Sequence, residues 1–242
     1  MAEEASALAS RLARRLKQRR WTVATAESCT GGLLASTLTD LSGASEWFSL
    51  GLVTYSNRAK MQQLGIRRSC FEGDTMVGAV SQRVALRMAQ GAIRLASSDV
   101  SIGITGIAGP GGGTADKEVG RVHVCVCIGE FFRVRRAEMG GDDRVQNKSA
   151  FVQFALRTAL EAIDEHDMAE ELRRQRSESD DEAEVSDEQE GDEDVDADLS
   201  IDQLSESDEE WRGQFVWTSD GTVVDEIKRR VDFSEETEWS AE

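Results

Sequence analysis

Residues 21–41, WTVATAESCTGGLLASTLTDL, decide the architecture. Trp21–Ala26 is a short run with a high share of β-formers. Ser28–Gly32 is a loop of hydroxyls and glycines, and LLASTLTDL after it reads as helix. A strand that turns through a tight loop into a helix is the building unit of an α/β domain. Outward from this unit the alternation continues. Upstream, Leu8, Leu12 and Leu16 mark one face of an amphipathic helix. Downstream, Leu50–Tyr55 is an apolar, β-branched run, and Ser81 caps a predicted helix to about Ala96 with Val84, Met88, Ala92 and Leu95 on one face. Asp99–Thr105 reads as a strand running into ITGIAGPGGG. Arg121–Ile128 alternates, with Val122, Val124, Val126 and Ile128 on one side. Gly129-Glu130 turns it into Phe131–Met139. Asp142 or Asp143 caps a last helix to about Asp164, with Phe151, Ala155, Ala159 and Ile163 on its apolar face. The pattern predicts a three-layer α/β/α sandwich with a mixed sheet over residues 1–168.

Charge divides the chain in the same place. Residues 1–168 carry 21 basic and 18 acidic side chains, a net of +3, whereas residues 169–242 carry 7 and 28, a net of −21. From Ser177 to Glu210 there is no Lys, Arg or aromatic residue. A stretch of that composition buries too little apolar surface to offset its chain entropy. Residues 169–213 are therefore expected to form an acidic, disordered linker. Residues 214–242 hold a possible hairpin, Gln214–Thr218 and Thr222–Val224 about Ser219-Asp220-Gly221, or a docking segment. The acidic tail suits a basic protein partner and opposes nucleic acid. No run is long and apolar enough to span a bilayer, and the N-terminus has no signal-type apolar core. Four cysteines without a CxxC pair point away from zinc and from disulfides, and toward a reducing, cytoplasmic setting.

Three clusters carry candidate chemistry. In ESCTGG, Gly31 and Gly32 permit close approach of a ligand, Ser28 and Thr30 add hydroxyls, and the amides opening the next helix attract an anion; a structural helix cap explains the same residues. The loop Gly103–Gly113, with Thr105 at the strand end and Gly109 within it, stands where α/β sheets bind ligands. The span SGASEWFSLGLVTYSNRAK packs Ser45, Tyr55 and Lys60 together. A serine needs a base to become a nucleophile. His123 and His166 are the only histidines and sit in unpromising places. A desolvated lysine can serve instead, which makes Lys60, oriented by Tyr55, the available candidate.

ATAESCTGG at 24–32, SGASEWFSLGLVTYSNRAK at 42–60, GAVS at 78–81, ITGIAGPGGG at 104–113 and GDDR at 141–144 occur in the order of one family. Over about residues 5–165 the chain resembles the CinA C-terminal domain, also known as the PncC nicotinamide-nucleotide amidohydrolase. The resemblance implies hydrolysis of nicotinamide mononucleotide to nicotinic acid mononucleotide and ammonia, a step of pyridine nucleotide salvage, by a Ser–Lys type mechanism without metal or other cofactor. It places the nucleophile on Ser45, the base and its partner on Lys60 and Tyr55, a site loop on Thr105 and Gly109, and the phosphate on Arg144. Ser28, Thr30 and Gly31 belong to its signature loop. A soluble homo-oligomer acting on a small nucleotide, without membrane contact, is the expected form. The alternative is a catalytically silent nucleotide- or protein-binding relative, linked to competence or DNA damage, that acts through its tail.

Overall fold

In a computed structural model, residues 4–71, 78–184, 210–214, 216–217 and 223–224 are described. The body begins with α1 (Ala5–Arg19), β1 (Val23–Glu27), α2 (Leu33–Thr39), β2 (Phe48–Val53), α3 (Asn57–Leu64) and α4 (Gln82–Ala96). It continues with β3 (Val100–Gly106), β4 (Arg121–Ile128), β5 (Phe131–Glu138) and α5 (Arg144–Glu184). The strands form one sheet in the order β2-β1-β3-β4-β5, extended at its outer edge by β6 (Glu210–Gln214). β1 runs parallel to both β2 and β3, whereas β3, β4 and β5 are antiparallel neighbours, so the sheet is mixed.

Helices cover both faces. Leu8, Leu12 and Leu16 of α1, Leu34 and Leu38 of α2 and Phe151, Leu156 and Ile163 of α5 pack with Val23, Ile102, Ile104 and the even-numbered residues of β4. On the other face Ala85, Leu86, Ala89 and Ile93 of α4 meet Cys125, Cys127 and Val134, and Val84, Met88 and Ala92 meet Ala24, Ala26 and Leu64. This makes the expected three-layer α/β/α sandwich. Cover on both faces buries more of β4 than its one apolar side: all its residues after Arg121 are buried. Leu95, expected on the apolar face of α4, is exposed; Ile93 takes that role.

Helix starts follow side-chain chemistry. Ser81 Oγ accepts from the Val84 amide, and Asp143, rather than Asp142, accepts from the amides of Val145 and Gln146. Helix α3 was not predicted, although Ser56 caps it through the Ala59 amide. α5 runs past its expected end near Asp164 to Glu184, through residues strong in helix propensity and an Arg173–Glu170 pair one turn apart. Most of the expected acidic linker, residues 185–209, lies outside the described residues. β6 pairs antiparallel with β5, and Val216–Trp217 pairs with Val223–Val224. The turn of the expected hairpin, and residues 225–242, lie outside the description.

Candidate functional site

β1, β2 and β3 all end toward the same edge of the sheet. β2 lies on one side of β1 and β3 on the other, so the chain reverses its winding direction at β1. The carboxyl ends of strands at such a switch point form the usual ligand crevice of an open α/β sheet. Ser28 sits there, its amide donating to Ile104 O of β3 at 3.0 Å.

Directly beyond β2, Lys60 of α3 turns inward and is 0 % exposed. Its Nζ donates to Ser28 Oγ at 3.0 Å, to Thr54 O at 2.9 Å and to Tyr55 O at 3.2 Å. A buried ammonium has lost its water and gained only neutral acceptors, so burial lowers the Lys60 pKa from 10.5 to about 8. Near neutral pH this amine is readily poised to gain or lose a proton. The adjacent Cys29 does not share that role: burial raises its thiol to about 12, so it stays protonated.

The loop between Ser28 and α2 is pinned by Glu27. Its fully buried carboxylate accepts from the amides of Gly32 and Leu34 at 3.0 Å and of Ala35 at 2.8 Å. These are the helix-start amides that the sequence offered as an anion site. The chain's own carboxylate fills that site, which corrects the expectation. Gly31 holds a left-handed backbone with φ of 62°, and Gly106 lets Cys29 pack closely, since a Cβ there would lie 3.2 Å from its sulfur.

Tyr55 joins two parts of the site. Its carbonyl meets Lys60, while its hydroxyl, on a side chain 57 % exposed, accepts from Arg144 Nη2 at 2.6 Å. The phenol therefore faces the cation and not the lysine, contrary to its expected role beside the base. Arg144 opens α5 and also donates to Gly109 O at 2.7 Å. Asn147, one turn on, donates to Ala108 O and Gly141 O and fixes the glycine-rich loop to α5. Thr105 is buried and donates to Ala79 O at 2.7 Å. Thr30 is buried too, and its hydroxyl has no partner among the described residues.

Ser45 is not brought to Lys60 within the chain. It lies exposed in a short 3-10 turn, Ala44–Glu46, just before β2, whereas Lys60 follows β2. The β1–β2 register runs from Val23↔Phe48 to Glu27↔Val53, so Ser45 stands at the amino end of the strands and Ser28 at the carboxyl end. At about 3.3 Å per residue, a six-residue strand separates them by about 20 Å. The sequence offered Ser28 as a loop hydroxyl but gave no sign of its pairing with Lys60, 32 positions away.

His123 lies across from Thr105 in the β3–β4 register. Burial, with Arg136, Arg121 and Lys117 nearby, lowers its pKa to about 3 and keeps it neutral. His166 packs edge-on against Trp21 and Phe131, far along α5. Among the described residues no three His, Cys, Asp or Glu side chains converge as a metal site would require. No helix among them is long and apolar enough to cross a membrane.

Comparison with known proteins agrees with this fold. A family model described as the CinA C-terminal domain matches residues 5–163. A CinA-like protein of Chlorobaculum tepidum is 49% identical over 157 residues, which cover 62% of this chain and 36% of that protein. One of Syntrophomonas wolfei is 45% identical over 144 residues, or 60% of this chain and 33% of its own length. The chain thus spans about a third of the length of these curated relatives. A solved structure of the competence/damage inducible protein CihA from Agrobacterium tumefaciens superposes with a TM-score of 0.62 at 36% identity, covering 67% of this chain and 99% of that one.

Proposed function

The chain belongs to the CinA C-terminal domain family, and from that premise we propose that it is an amidohydrolase of nicotinamide mononucleotide, with Ser28 as nucleophile and Lys60 as base. The observation that carries this reading is the buried Lys60 amine, with its pKa lowered to about 8, in contact with Ser28 Oγ. The resemblance suggests the substrate; the Lys60–Ser28 contact, and the placement of Ser45 at the opposite end of β2, favour Ser28 over Ser45 as nucleophile.

In this mechanism neutral Lys60 takes the Ser28 hydroxyl proton as Oγ attacks the carboxamide carbon. The resulting oxyanion falls to the amides of Cys29 and Thr30, because those of Gly31, Gly32, Leu34 and Ala35 already donate within the chain. Collapse breaks the C–N bond, and the Lys60 ammonium returns its proton to the departing nitrogen, releasing ammonia. Water, activated by the same amine, then hydrolyses the Ser28 ester and frees nicotinic acid mononucleotide. Arg144, opening α5 beyond Tyr55, takes the phosphate.

Ammonia release from nicotinamide mononucleotide tests the proposal. The wild-type protein should release it, Ser28→Ala should lose about a thousandfold or more while retaining its circular dichroism, and Ser45→Ala should stay within about threefold. A wild-type protein that releases none contradicts the activity. Loss confined to Ser45→Ala contradicts the assignment of the nucleophile.

A further inference from the structure

Arg144 is one of two cations on the same face of α5. Lys148 follows it by four residues, so the two side chains lie one above the other on the helix. The ammonium of Lys148 reaches the ESCTGG loop: a Cβ added to Gly31 would stand 3.6 Å from its Nζ. Gly31 carries no side chain, so the ammonium comes this close to the loop backbone; a Cβ there would touch it. Lys148 is partly buried, and it makes no hydrogen bond or ion pair among the described residues. The other described lysines each have a partner: Lys17 pairs with Glu46, Lys60 with Ser28, and Lys117 donates to Val80 O.

The surroundings favour an anion here. Glu27, just before the same loop, is consumed by the amides of Gly32, Leu34 and Ala35. Arg144 spends two N–H groups on Gly109 O and Tyr55 Oη, and the rest of its fork can still donate. Two cations one helical turn apart, above a glycine loop, can share the oxygens of a single dianion.

We propose that Lys148 is a second phosphate-binding cation, acting with Arg144, and that together they make the site select phosphomonoesters over uncharged nucleosides. The proposal rests on the reading of this crevice as a nucleotide amidase site, and deepens it by naming how the phosphate is held. Lys148 touches no reacting atom, so its loss should weaken binding and leave turnover at saturation intact.

The test uses the full chain, with ribose 5-phosphate and ribose as probes in calorimetric titrations. Lys148→Met keeps the aliphatic stem and deletes the charge. It should weaken ribose 5-phosphate about tenfold, leave ribose unchanged and flatten the dependence of ribose 5-phosphate affinity on salt. Lys148→Arg should restore most of the affinity. In ammonia release, Lys148→Met should raise KM for nicotinamide mononucleotide about tenfold with kcat within about twofold, and leave kcat/KM for the riboside unchanged. Equal ribose 5-phosphate affinity in wild type and Lys148→Met, or no binding by the wild type, overturns the proposal. Lys148-dependent binding without ammonia release leaves this phosphate site standing and removes the amidase reading; ammonia release with KM indifferent to Lys148 does the reverse.

Discussion

The two ends of the sheet differ in what they do with their polar groups. At the amino end of the parallel strands lies a cleft of about 420 Å³, lined by Trp21, Asp99, Glu130, Phe131, His166 and Arg173 among others. Its charged groups are largely engaged. Asp99 accepts from the Thr22 amide and hydroxyl, and Arg173 pairs with Glu170. Arg19 lies over Trp21 and is paired with Asp167. At the carboxyl end a buried lysine touches a serine and two cations stand nearby. The amino end holds a cleft of paired charges; the carboxyl end holds an amine whose pKa burial has lowered, in contact with a hydroxyl.

The largest effect expected to divide the two ends is that of Lys60→Met. Removing the base should cut ammonia release about a thousandfold, and adding Ser28→Ala should cost little more, because nucleophile and base act as a unit. The wild-type pH profile sharpens this. Lys60 must be neutral to accept a proton, so kcat/KM should rise with pH, tenfold per unit below about 8, and level off above it. The sign follows from a lowered pKa: below about 8 the folded protein holds the amine charged and inactive. A profile flat from pH 6 to 9 would remove Lys60 as the base.

Next in size is Glu27→Ala. It strips three amides of their acceptor inside a buried loop and should lower stability by about 3 kcal/mol, or roughly 10 °C in Tm, with turnover falling as the loop loosens. Unchanged turnover and Tm would mean that the loop is held by other contacts. The smallest effect belongs to the opposite end. Glu130→Ala in the cleft beside Trp21 should leave ammonia release within about twofold and stability within about 0.5 kcal/mol. A substantial loss there would erase the distinction between the two ends.

Much of the body was legible. The predicted strand Arg121–Ile128 has the bounds observed for β4, because tight turn signals flank it. Lys60 was legible as a candidate base because the chain offers so few others, and the structure buries it. Its partner was not, since the Ser28–Lys60 contact depends on β1 lying parallel to β2 in one register, which local spacing does not encode. Ser45 looked closer because it is near in sequence, yet an extended strand carries it away. Glu27 was hidden for a related reason: its carboxylate serves amides five to eight residues further along, and nothing in ESCTGG distinguishes a capping glutamate from a binding one. Lys148 belonged to no motif; only the packing of α5 beside the loop brings it to Gly31.

The central claim is that Ser28, activated by Lys60, attacks the carboxamide. Acid-quenching the wild-type protein during turnover of nicotinamide mononucleotide, followed by peptide mass spectrometry, locates any acyl intermediate. The account predicts the nicotinoyl nucleotide as an ester on Ser28, in the peptide containing ESCTGG, and none in Ser28→Ala. An ester on Ser45 would contradict it.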